Sequence, residues 1–105
     1  MQFEFRPVKK KIDLSEYADE MAGIVIQVRV NVPREMFGRM LKVKGMTDDE
    51  FFALLSELWG EEEWPVEDIR KLREHCQEFD PMLWVWLTKR TWDTIFEYKG
   101  AQKKT

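Results

Sequence analysis

Residues Asp80 to Lys99, DPMLWVWLTKRTWDTIFEYK, read as one long helix that is apolar on two sides. At about 100° per residue, Trp84, Leu87, Thr88, Thr91, Trp92, Ile95 and Tyr98 gather on one broad side. Lys89, Arg90, Asp93 and Glu97 fall on the opposite side, and Met82 and Trp86 lie among those charges, one turn apart. A helix with a single buried stripe has no use for a tryptophan in its charged face. Something must cover that second surface. The cover is either more of the same domain or another chain, and the sequence leaves both open. Trp is the residue type most enriched at interface hot spots. Met82, Trp86, Lys89 and Arg90 are therefore the candidate protein-binding residues. If Trp86 is such an anchor, Trp86→Ala should weaken association by more than about 1 kcal/mol at little cost to the monomer.

The rest of the chain supplies what this helix packs on. Ala22 to Val32 alternates at period 2, with Ile24, Ile26, Val28, Val30 and Val32 on one face, as expected for a half-buried strand. A lone strand is not stable, so it needs a partner. The partner expected is the amino-terminal arm, where Gln2–Arg6 alternates as a short strand and Lys9–Leu14 continues an extended or hairpin segment. Ser15–Met21 reads as a loop or a single helical turn. Pro33 suits the first position of a helix over 34–44 that ends at Gly45. Thr47-Asp48-Asp49-Glu50 is a capping box opening a helix that runs to Trp59 and packs through Phe51, Leu54, Leu55 and Leu58, with Gly60 as its stop.

Glu61–Glu63 forms an acidic loop, and Trp59 and Trp64 flank it as a lip or satellite cluster. Pro65 opens the next helix, whose stripe is Val66, Ile69, Leu72, Arg73 and Cys76. Glu67–Lys71 and Arg70–Glu74 are expected as exposed pairs on it. Asp80 caps the last helix with Pro81 in first position. Phe79 and Trp84 are spaced for a hydrophobic staple, and Gly100 ends the helix before the AQKKT tail. Strands followed by helices make the class α+β: an N-terminal β-hairpin or small antiparallel sheet, then about four helices. We divide one domain into a β-rich arm (1–32), a helical part (33–99) and a flexible tail (100–105).

Chemistry is harder to find. His75 and Cys76 are neighbours on a helix and point about 100° apart, so they cannot serve as a base–nucleophile pair. A second His or Cys to complete a metal site is missing. Asp48–Glu50 is explained by capping and Glu61–Glu63 by solvation, and neither has calcium-loop spacing. The five glycines are isolated, so no phosphate-cradling loop is written here. A net charge of −3 argues against a nucleic-acid module. With one cysteine no internal disulfide is possible. The longest apolar run, Met82–Leu87, is too short to span a bilayer, and the amino terminus lacks a signal-peptide core. The expectation is a non-enzymatic protein of the cytoplasm, with no cofactor, no metal and no contact with nucleic acid or membrane. Most tryptophans should be core, Trp84 and Trp92 above all, and Met36, Met40 and Met46 are expected to extend an adaptable surface.

The stretch KKIDLSEYADEMAGIVIQVRVNVPRE, Lys10 to Glu35, has an IDLSEY start, a short spacer and an IQVRVNVP strand. It resembles the small tail-assembly chaperones of long-tailed bacteriophages. WGEEEWP, within Leu58 to Ile69, is similar to a turn found in those proteins. Met21 in the spacer and the absence of a central glycine in that turn depart from the family pattern. The resemblance implies a self-associating chaperone in the cytoplasm of the bacterial host. It would coat the helical tape-measure protein, recruit tail-tube subunits and be absent from the finished particle. It also implies a longer form made by ribosomal slippage near Lys103-Lys104. Two other readings stand beside it. One is another phage or prophage adaptor, such as a head–tail joining protein or an inhibitor of a host protein. The other is a small enzyme or metal-binding domain with an acidic cleft.

Overall fold

The computed structural model describes residues 6–102. The strand proposed at 2–6, apart from Arg6, which is not in a strand, and the end of the tail at 103–105 lie outside that range. Strand β1 (Lys9–Asp13) pairs antiparallel with β2 (Val25–Arg29), and helices α1 (Arg34–Met40), α2 (Asp48–Trp59), α3 (Val66–Phe79) and α4 (Pro81–Gln102) follow. This is the α+β arrangement expected: a two-stranded antiparallel sheet, then four helices.

The register sets Lys10 opposite Val28 and Ile12 opposite Ile26. Two further bonds, Leu14 N–H to Ile24 C=O (2.9 Å) and Val30 N–H to Val8 C=O (2.9 Å), continue the ladder past both ends. Even-numbered residues of both strands share one face, as the pleat requires. On that face Ile12, Leu14, Ile26, Val28 and Val30 are buried. Lysines on β1 blunt an edge that would otherwise invite pairing with other chains. The strand is shorter than its sequence pattern, and Ile24 is half exposed. The sheet needs only the length that its helices cover, and Ile24 lies past their reach. Between the strands, Leu14–Glu16 and Asp19–Met21 form two tight 3-10 turns.

Several local signals are read out directly. Thr47 and Glu50 form the reciprocal capping box of α2. Gly60 ends that helix at φ 102°, a backbone region that favours glycine. Other boundaries moved. Pro33 and Pro65 cap α1 and α3 from outside, each with extended ψ, rather than standing as first residues. The first helix stops at Met40 and resumes only as a 3-10 turn, Val43–Gly45, because the chain must bend toward α2. Helix α4 runs through Gly100 to Gln102.

The core is a single cluster between the sheet's even face and the helices. Leu54, Leu55, Leu58 and Trp59 come from α2, Ile69 from α3, and Leu87 and Ile95 from α4. Trp59 is 1 % exposed, so it is central core and not a lip of the acidic loop. Its indole N–H donates to Thr91 Oγ1 (3.2 Å), and its ring meets Trp64 edge-on at 5.6 Å. Trp84 and Trp92 are half-buried and not enclosed. They pack on Phe51, and Trp84 also meets Phe52. Met36 and Met40 are buried, which removes them from any surface role.

Of the exposed pairing expected along α3, Arg70 takes Glu67 (3.5 Å) on its own helix, and the shorter pairs run between helices. Arg70 reaches Asp49 (2.9 Å) and Arg73 reaches Asp48 (2.7 Å), with both guanidinium groups over the Phe52 ring. The cross-helix pairs are favoured because both guanidinium groups rest over the Phe52 ring on α2, the helix that also carries Asp48 and Asp49. Asp48 and Asp49 are thereby engaged by arginine. The staple at the start of α4 is likewise absent: Phe79 is 73 % exposed and its ring leans on His75.

Candidate protein-binding surface

Helix α4 positions the candidate residues, and its two faces are distinct. Leu83, Leu87, Thr91, Thr94 and Ile95 are buried against the domain. On the other side Met82 is 63 %, Val85 53 % and Phe96 39 % exposed, with Lys89 exposed between them. Asp93 sits half-buried one turn beyond Lys89. Exposed large apolar side chains repeated along one helix face are the informative departure from an ordinary surface.

The turn Leu14–Glu16 and the residue after it form a strap across the flank of that face. Asp13 caps the turn by accepting from Ser15 N–H (2.9 Å), and this bond holds its carboxyl below the usual range. Tyr17 then reaches the α3–α4 corner, its hydroxyl 2.9 and 2.8 Å from the two oxygens of Asp80. The bond to Asp80, with some loss of solvent and the nearby negative charge, pushes the Tyr17 phenol upward. Asp80 also accepts from Leu83 N–H (3.3 Å), so one carboxylate caps α4 and holds the strap. Glu16 pairs with Arg90 Nε at 3.1 Å.

The four predicted residues therefore separate. Met82 and Lys89 stand on the open face. Trp86 lies at its margin, half-buried, with its ring 5.5 Å from Tyr17 at 51°. It packs against the core from outside, so it is neither a free anchor nor an enclosed core residue. Arg90 is engaged: besides Glu16, it donates to Thr94 Oγ1 (2.8 Å) and lies 3.9 Å from Glu97. It buttresses the strap instead of joining the patch. Sequence reasoning did not single out Val85 or Phe96. Their spacing from Met82, three and fourteen residues, was the available signal, since both intervals return to the same helix face.

A second apolar region lies beside Phe96. Leu41, 65 % exposed, stands with Val43, Trp92 and Phe96 around a shallow groove edged by Lys42 and Lys44. The face of α4 and this groove meet at Phe96.

Elsewhere the chemistry is sparse. Burial pushes the Cys76 thiol up, with Asp80 adding to the effect, and so disfavours the reactive thiolate. Among the described residues no three His, Cys, Asp or Glu side chains converge as a metal site. No described helix is long and apolar enough to cross a membrane. No family model, no curated protein and no solved structure matches the chain.

Proposed function

We propose that this chain is a non-enzymatic binding protein of the phage tail-assembly chaperone kind. It would work in the bacterial cytoplasm, cover the helical tape-measure protein and recruit tail-tube subunits. The observation that carries this reading is the uncovered face of α4, where Met82, Val85 and Phe96 stand in solvent on a helix anchored by its other side. An amphipathic helix lies naturally against such a face, its apolar side chains at i, i+3 and i+4 meeting those of α4. Methionine suits a surface that must accept many segments of a long, varied partner. Charges within and beside it, Lys89 and Asp93 on the face and Lys42 and Lys44 along the adjoining groove, keep the face soluble when empty.

The test is co-expression of the tagged chain with the tape-measure protein encoded beside it. The tape-measure protein should be soluble and co-purify, and Met82→Glu with Val85→Glu should abolish this while the circular dichroism spectrum is retained. Mass spectrometry of purified virions should find the chain missing. Its presence in the particle would replace this reading with that of a joining or other structural protein.

A further inference from the structure

The order of residues on the open face of α4 is self-complementary. Met82, Val85, Lys89, Asp93, Phe96 and Gly100 fall within an arc of about 80° at 100° per residue. Along the helix they run apolar, apolar, cation, anion, apolar, glycine. Reversal about a point between Lys89 and Asp93 exchanges the two charges and sets each apolar end against the other. We propose that this face pairs with itself: α4 packs antiparallel on α4 of a second copy, about a two-fold axis that crosses the open face between Lys89 and Asp93, level with Thr91 along the helix.

In that arrangement Lys89 meets Asp93 of the partner twice, Val85 and Trp86 meet Phe96, and Met82 meets the Gly100 end. The seam from Met82 to Gly100 is roughly 27 Å long at 1.5 Å per residue. Two-fold pairing is the commonest form of self-association and requires this reciprocity. Two features favour a second copy as the occupant of this face while no cargo helix lies on it. Lys89 and Asp93 are one turn apart on the same helix, yet among the ion pairs of the described residues neither has a partner. Gly100 lies inside α4, where glycine costs about 1 kcal/mol relative to alanine. A Cβ there would meet nothing of the chain itself within 4 Å. The chain leaves that position open, and a partner's Met82 fits there. The pairing stands on α4 alone. Its test contains no cargo, so its failure is separate from failure of the tail-assembly reading.

The experiment is sedimentation velocity on the purified chain over a range of concentrations, with two charge reversals, Lys89→Asp and Asp93→Lys. The wild type should be a monomer–dimer system. Each reversal alone sets like charges face to face and should weaken the dimer at least about tenfold. An equimolar mixture of the two variants should dimerise nearly as well as the wild type, because every cross-axis pair is opposite in sign again. Mixing separates contact between chains from any effect within one helix, and unfolding curves below the dissociation constant check that the monomers stay folded. A wild type that remains monomeric at several hundred micromolar overturns the proposal. So do single variants that dimerise unimpaired, or a mixture that shows no rescue.

Discussion

The hydrogen bond from Trp59 to Thr91 ties α2 to α4 in the driest part of the molecule. Trp59 is 1 % and Thr91 0 % exposed, so neither group has water as an alternative partner. Thr91 Oγ1 accepts from the indole N–H (3.2 Å) and donates to Leu87 C=O (2.8 Å). Thr91→Val keeps the β-branched shape and removes the acceptor. The Leu87 carbonyl keeps its helical bond from the backbone, so the loss falls on the indole. A buried donor left unsatisfied costs about 1–3 kcal/mol. For a domain of this size that lowers Tm by of order 10 °C. In urea the unfolding midpoint, followed by far-UV circular dichroism, should fall with the slope unchanged. A double-mutant cycle isolates the bond. In a Trp59→Phe background the donor is gone, so Thr91→Val should cost less there by about 1 kcal/mol. Equal cost in both backgrounds, or a single-variant cost below about 0.5 kcal/mol, would refute the account of the indole as a dependent buried donor.

Three further outcomes are expected. Because Trp86 packs on Tyr17, Trp86→Ala should destabilise the monomer by about 1–3 kcal/mol, contrary to the reading of it as a free anchor; unchanged urea stability would restore that reading. Tyr17 titrates above its ordinary value, so its contribution is complete below about pH 10, the unfolded value, and is lost as pH rises through the folded one. The stability gap between wild type and Tyr17→Phe should therefore narrow in alkali, and a gap that widens would show that the bond to Asp80 is not its source. Cys76 should react with a thiol reagent only as fast as the native state opens, and stabilising or destabilising substitutions elsewhere should shift that rate in step. Rapid labelling in native buffer would contradict its burial.

Periodicity, caps and breakers determined the elements. The period-2 run around Ile26–Val30, the Thr47–Glu50 box and the stop at Gly60 are local devices, each complete within a few residues. The double-sided character of α4 was also legible, because a helix's angular arithmetic needs no neighbours. What the sequence could not decide was which neighbour arrives. Arg70 had acceptable partners on its own helix in Glu67 and Glu74, and tertiary packing put Asp49 closer than either, while Arg73, with none in reach there, found Asp48. Trp59, placed beside an acidic loop by its position, became the centre of the core because α4 supplied Thr91. Trp86 and Arg90 were drawn away from the open face by Tyr17 and Glu16, which lie about seventy residues earlier in the chain. The side of a helix that is apolar follows from its own residues; whether that side is already covered depends on segments that only folding brings near.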